Sequence, residues 1–167
     1  MAKKMLIVYY SVSNGNTRRI AEQLQKATKA DMAQIQTVKP YTGSYNDIVD
    51  QGKQEVDRGC RPAIQPISFD PADYDVIALG TPTWWYTMAP AMLSFLTSHD
   101  WKGKTIIPFQ THGGWPGHVL KDIQKVCSGA SFVHEKAIQF DSTGGAKMVT
   151  PQEKVDAWID SIRTMIS

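Results

Sequence analysis

Residues 5–17, MLIVYYSVSNGNT, decide how the rest of the chain is read. Met5 to Tyr10 is a continuous apolar run of aliphatic and aromatic residues between Lys4 and a polar stretch, a pattern that predicts a strand buried on both faces of a parallel sheet. Ser11 to Thr17 brings hydroxyls, amides and one glycine, and from Thr17 to about Lys29 the residues Ile20, Leu24 and Ala27 recur at helical spacing. Strand, short polar loop and helix in that order aim backbone N–H groups and the positive end of the helix at one point. Such a point suits a phosphate. The loop has no Lys and neither GxxxxGK[ST] nor GxGxxG spacing, which favours a monophosphate held by hydroxyls and amides. Turns of small polar residues are also ordinary punctuation, so the reading depends on what lies downstream.

Asp31 to Val38 reads as a weak strand near a sheet edge, ended by Pro40. Ser44 with Asp47 three residues on resembles a capping box, and Ile48, Val49, Gly52 and Val56 mark one face of the helix that follows. Arg61 to Asp73, with its prolines and no periodicity, reads as a surface loop. Tyr74 to Leu79, YDVIAL, is a second buried strand, expected to end at Gly80 and Thr81, and Met92, Leu93 and Leu96 mark the next helix. Lys104 to Gln110, KTIIPFQ, is another buried run, weakened by Pro108, and Val119, Ile123 and Val126 mark the helix after it. Ser131 to Phe140 reads as a last strand with an irregular start at the polar His134 to Lys136. Thr150, Pro151 and Glu153 predict a capped start for a final amphipathic helix bearing Val155, Trp158, Ile159, Ile162 and Ile166.

Five alternations of strand and helix predict an α/β fold, an all-parallel five-stranded sheet with helices on both faces, as one domain over residues 1–167. In such sheets a ligand sits at the carboxyl ends of the strands. At 42% hydrophobic and 20% charged, the composition is that of a globular protein. A formal net charge of +2, with Lys and Arg scattered, argues against nucleic acid or an anionic membrane as partner. The two cysteines, Cys60 and Cys127, lack metal or redox spacing, which predicts neither a zinc site nor a disulfide framework and fits a reducing, cytoplasmic setting. No stretch approaches the length of a membrane span, and the first apolar run is too short for a signal-peptide core.

Two further loops stand out at the same predicted end of the sheet. Thr81 to Met88 sets Trp84, Trp85 and Tyr86 side by side after a buried strand. Adjacent loop residues cannot both enter one core, so one indole belongs at the surface or against a flat ligand. Thr111 to Gly117 holds three glycines around Trp115, and Gly113–Gly114 lets backbone amides approach a heterocycle closely.

SVSNGNT, YDVIALGTPTWW with its following helix, and GKTIIPFQTHGGWPG together resemble the flavodoxins, in particular a branch with a Pro-x-Trp-Trp second loop and a Thr-x-Gly-Gly third loop. The resemblance covers nearly the whole chain. It implies sheet order 2-1-3-4-5 and non-covalently bound FMN, with Ser11, Val12, Ser13, Asn14, Gly15, Asn16 and Thr17 holding its phosphate. It places Pro82, Thr83, Trp84, Trp85 and Tyr86 along the ribityl chain and one ring face, and Thr111, His112, Gly113 and Gly114 at the pyrimidine edge. It also implies electron transfer with redox partner proteins or a small flat acceptor, by a monomer or weak dimer, with a small FMN-dependent oxidoreductase as the alternative. His112 and His118 are then candidate proton donors to an acceptor, and surface bystanders otherwise.

This chain departs from acidic carrier flavodoxins in being slightly basic. Trp101 to Lys121 contains no carboxylate but carries Lys102, Lys104, His112 and His118, so a couple less negative than in an acidic carrier is expected. Arg18 and Arg19, in the first turn of the first helix, read as solvated charges rather than phosphate contacts. Phosphoryl chemistry on a similar sheet would need a cysteine and an arginine in the first loop, or an aspartate after the third strand; those positions hold neither. A binding patch of Trp84, Trp85, Tyr86 and Trp115 without cofactor is the remaining alternative.

Overall fold

The structure, a computed structural model, describes residues 3–12, 15–143 and 145–167. In chain order its elements are β1 (Met5–Tyr9), α1 (Asn16–Thr28), β2 (Asp31–Gln34), α2 (Tyr45–Asp57), β3 (Val76–Trp84), β4 (Thr87–Met88) and α3 (Pro90–Thr97). β5 (Thr105–His112), α4 (Val119–Val126), β6 (Ser131–Phe132), β7 (Lys136–Gln139) and α5 (Gln152–Ile166) complete it.

Every residue of β1 is buried, because its side chains feed two cores in alternation. Leu6 and Val8 join the core on the side of α3 and α4, with Met92, Phe95, Leu96, Val119 and Ile123. Met5, Ile7 and Tyr9 join the opposite core, with Ile20, Ala21 and Leu24 of α1 and Val155, Trp158 and Ile162 of α5. The strands run β2-β1-β3-β5-β6 and the pairs on this path are parallel, which is the expected 2-1-3-4-5 order with helices on both faces. α2 starts at the anticipated capping box: the Asp47 amide donates to Ser44 Oγ (3.2 Å) and the Ser44 amide to Asp47 Oδ2 (3.0 Å).

Four expectations are corrected. First, β3 does not stop at Gly80 and Thr81 but continues to Trp84 and turns back as the short antiparallel β4, so the sheet is not wholly parallel. Pro82 is tolerated within it because of parity. The Gly80 carbonyl accepts from Tyr10 N, so Pro82, two residues on, turns its missing donor toward the side where β1 has already ended.

Second, the last strand is split. The Ile106 carbonyl accepts from Val133 N, so Pro108 directs its missing N–H to the same side, where β6 ends at Phe132 and β7 begins at Lys136. The chain detours between them, with His134 at φ 51°. Third, α5 has no side-chain cap, and Pro151 rather than Thr150 stands at its cap position. Thr150 Oγ1 instead accepts the Gln139 amide at 2.7 Å. Fourth, β2 is shorter than Asp31 to Val38, with Thr37 bridging to Ile64 outside it.

Candidate functional site

The first loop ends in Gly15, which is left-handed at φ 72° and leads into α1. Ser11 Oγ accepts the Arg18 amide at 3.2 Å and the Val12 carbonyl accepts the Gly15 amide at 3.2 Å, which leaves the Asn16 and Thr17 amides of the first turn without a partner among the described residues. Ser13 and Asn14 lie outside the described residues. Asn16 Nδ2 donates to the Gly145 carbonyl at 3.1 Å, which fixes the amide's orientation and leaves Oδ1 as its free group. That oxygen is buried and has no hydrogen-bond partner among the described residues. Arg18 pairs with Glu22 at 2.9 Å with both side chains more than half exposed, and Arg19 donates to the Ala146 carbonyl at 3.1 Å. The two arginines are therefore engaged at the surface.

The second loop is a hairpin turn in which Trp85 and Tyr86 both have positive φ, 51° and 71°, the primed geometry that two-residue hairpins favour and that usually recruits Asn and Gly. The turn divides the aromatics. Trp84 packs inward, edge-on to Tyr10 (ring centroids 6.0 Å) and Tyr41 (5.1 Å). Its six-membered ring lies so close to α2 that a Cβ on Gly52 would sit 3.0 Å from Cε3, so this seat depends on glycine. Trp85 turns outward and is 40% exposed, donating from Nε1 to the Val49 carbonyl at 3.0 Å with Lys53 over its ring. Tyr86 is more exposed still.

The third loop is tied to the other two by hydroxyls. Thr17 Oγ1 and Thr111 Oγ1 are 2.7 Å apart in a buried contact between α1 and β5. Thr83 Oγ1 donates to the Thr111 carbonyl at 3.0 Å. Gln110 Nε2 donates to the Pro116 carbonyl at 3.0 Å. His112 ends β5, and its Nδ1 accepts the Gly114 amide at 3.0 Å. Burial lowers its pKa below the ordinary histidine value.

Between these loops lies a cleft of about 330 Å³. Of the residues singled out from sequence, Val12, Asn16 and Thr17 line it from the first loop, Pro82 to Trp85 from the second, and Thr111, His112 and Gly113 from the third. Ser11, Gly15, Tyr86 and Gly114 do not line it. His118 is not brought to the cleft either: it is exposed, its ring engages Asp122, and its amide donates to the Tyr86 carbonyl at 2.7 Å.

Two walls went unanticipated. Tyr45, Ile48, Val49 and Gly52 of α2 form one; the clue was an apolar helical stripe that includes a glycine, of which only Gly52 is buried. Phe140, Asp141 and Ser142 form the other, and a ligand at the carboxyl ends of the strands should have pointed to this loop after the last strand.

Asp141 also removes the premise of a carboxylate-free third loop. Its chain packs beside Gly113, and hydrogen bonds from the Thr143 amide (2.8 Å) and hydroxyl (2.7 Å) hold its carboxyl below the usual range. Lys104 sits at the opposite end of the sheet, where Nζ donates to the carbonyls of Ala72 and Tyr74, and Lys102 lies there beside Gly129. The expectation of a less negative couple therefore loses its electrostatic basis. Among the described residues no group of three or more His, Cys, Asp or Glu is placed to hold a metal ion.

The family model that matches the chain is that of flavodoxin, over residues 4–162. No curated protein matches it. Among solved structures, a Bacteroides eggerthii protein assigned as a flavoprotein is 28% identical, with 96% of this chain and 98% of that one covered at a TM-score of 0.75. A Lactobacillus acidophilus flavoprotein in complex with FMN is 21% identical, covering 94% and 99% at 0.70. A Fusobacterium nucleatum flavodoxin bound to flavin mononucleotide is 16% identical, covering 98% and 99% at 0.55. The last two likenesses speak to the fold.

Proposed function

This chain belongs to the flavodoxin family, and from that premise we propose that it binds FMN in the cleft and carries electrons between redox partners. The observation that supports this most is the convergence of three loops, laced together through Thr17, Thr83 and Thr111, around one aromatic-walled cleft at the carboxyl ends of β1, β3 and β5. The residues present fit the cofactor. The first turn of α1 carries no acidic residue and offers amides to a phosphate, and among the described residues nothing lies within 4 Å of where a Cβ on Gly15 would sit. The buried Asn16 Oδ1 is an acceptor without a donor among the described residues, and a ribityl hydroxyl would supply one.

In this reading Asn16 and Thr17 hold the phosphate end together with the rest of the first loop. Pro82 and Thr83 border the ribityl chain, Trp85 offers a ring face, and Thr111, His112 and Gly113 border the pyrimidine edge. FMN supplies one- and two-electron chemistry when bound. The protein's part is to orient it, desolvate it and set the charge around it. Trp84, wedged against Gly52, holds the hairpin in place. Electrons pass at the exposed side of the cleft, beside Trp115, which is 60% exposed. No helix among the described residues is long and apolar enough to cross a membrane. With Cys60 and Cys127 unpaired, we assign the chain to the reducing cytoplasm.

Reconstitution tests the proposal. The purified chain titrated with FMN should quench flavin fluorescence at one equivalent and turn yellow. It should then accept electrons from photoreduced deazaflavin yet be reduced only slowly by NADPH alone. A chain that stays colourless after FMN is added refutes the cofactor; rapid turnover with NADPH refutes the carrier role in favour of an oxidoreductase.

A further inference from the structure

We infer that His112 is a neutral imidazole locked in one tautomer, presenting Nε2–H into the cleft as a hydrogen-bond donor, and that it serves there as a donor and not as an acid. The flavin-facing half of this inference rests on the FMN reading above. The lock is geometric. Nδ1 accepts the Gly114 amide at 3.0 Å, and a ring nitrogen that accepts an N–H cannot itself carry a proton. The ring's one remaining proton must then sit on Nε2.

Both partners in the lock are held by the fold. His112 pairs with Gln139 in the β5–β7 register, and its carbonyl accepts from Phe140 N at 2.7 Å. Gly114 reaches back over the ring with φ 118°, a conformation that side chains rarely allow, so the turn that delivers the amide is written into the Gly113–Gly114 pair. Becoming an imidazolium would require proton uptake at Nδ1 and loss of this bond, and burial opposes the charge as well.

Only one carboxylate shares the cleft lining with His112 among the described residues. The third loop carries no charge from Gly113 to Gly117, and β7 offers the neutral Gln139 opposite His112. That carboxylate is Asp141, which lines the cleft and keeps its charge while accepting from Thr143, yet burial is what sets the direction for His112; Arg18 and Arg19 of α1 are engaged at the surface.

The chemical consequence separates two roles that a histidine beside a flavin could play. Giving up Nε2–H would leave an imidazolate, so His112 cannot act as a general acid at neutral pH. A fixed neutral donor instead favours whatever negative charge builds on the cofactor's edge when electrons arrive, and does so without titrating near pH 7.

The test begins with the FMN-free chain labelled with ¹⁵N-histidine. Two-bond ¹⁵N–¹H correlations should show Nδ1 unprotonated and Nε2 protonated at about pH 7 and still at about pH 6, below the ordinary histidine pKa. The opposite tautomer, or an imidazolium at about pH 6, overturns the lock. The FMN-loaded chain follows, with H112F removing the donor and H112Q keeping an N–H at similar reach. H112F should lower the affinity ratio of reduced to oxidised FMN about tenfold, a shift of about −30 mV in a two-electron couple, and H112Q should recover most of it. Equal potentials in wild type and H112F overturn the donor role. Failure of the unaltered chain to take up FMN overturns the proposed function and the flavin contact with it, while the tautomer measured in the free protein stands.

Discussion

Thr111 is the residue at which the three loops meet: its hydroxyl touches Thr17, its carbonyl accepts from Thr83, and its side chain lines the cleft. The contact with Thr17 is buried, so removing one partner strands the other. T111V keeps shape and volume but leaves Thr17 Oγ1 alone, and a stranded buried hydroxyl costs about 1–3 kcal/mol. T17V should cost a similar amount. The double variant, with both hydroxyls gone, should cost less than the sum of the two, and urea unfolding of all four chains measures the coupling. Strict additivity would mean that the pair does not act as a unit. At this scale sequence legibility was uneven. Thr17 and Thr111 were both nominated as cofactor contacts, but their bond to each other was not foreseeable, because it depends on how far β5 runs past the end of β1. Gly52 was placed on an apolar helical face without any sign that its missing side chain makes room for Trp84.

At the scale of elements, the β3–β4 hairpin departs furthest from the sequence reading, and it carries strain. Both turn residues are left-handed without being glycine, and each such residue costs about 1–2 kcal/mol. Tyr86 is 53% exposed and does not line the cleft, so little packing offsets that cost. Y86G should therefore raise the unfolding free energy by about 0.5–1 kcal/mol, once the greater freedom of glycine in the unfolded chain is discounted. A fall in the urea midpoint would show that the tyrosine ring contributes more than its exposure suggests. The hairpin was illegible for a reason: Trp-Trp-Tyr carries none of the Asn-Gly chemistry that announces a primed turn. The prolines were read in part. Pro108 was seen to weaken its strand, but the effect falls on the neighbour, which breaks into β6 and β7 opposite it. Thr150 had the spacing of a cap, and the Gln139 amide claimed its hydroxyl instead.

For the molecule as a whole, the parallel sheet covered on both faces was the most legible feature, because β1, β3 and β5 are apolar runs that only such a sheet can bury, while its order came from the resemblance to the flavodoxins. Which loops converge followed from that order; which charges lie near them did not, since Lys104 and His112 bracket the same strand at opposite ends. The core beneath the cleft makes a further demand that only the folded chain expresses. Tyr10 and Tyr41 pack around Trp84, and Cys127 is fully buried on the same side of the sheet. Burial pushes the Cys127 thiol up to about 12 and raises Tyr10 above its ordinary value, with Glu55 adding to the latter. Tyr41 is raised by burial and by its hydrogen bond to Glu55. In each case the folded state holds a proton that the unfolded chain releases more readily, so the stabilisation is whole below the unfolded pKa and is lost as pH rises toward the folded one. The window opens near the ordinary thiol value of 9.0 and steepens past the tyrosine value of 10.0. Between its two pKa values each group tilts stability by about 1.4 kcal/mol per pH unit. Urea midpoints should be flat from about pH 7 to 8.5 and fall progressively to about pH 11. Tyrosinate absorbance from Tyr10 and Tyr41 should appear only with unfolding, which Y10F and Y41F identify by difference. Midpoints that stay level to about pH 11, or tyrosinate signals from these two rings at ordinary pH in the folded chain, would mean that the core under the cleft is open to water.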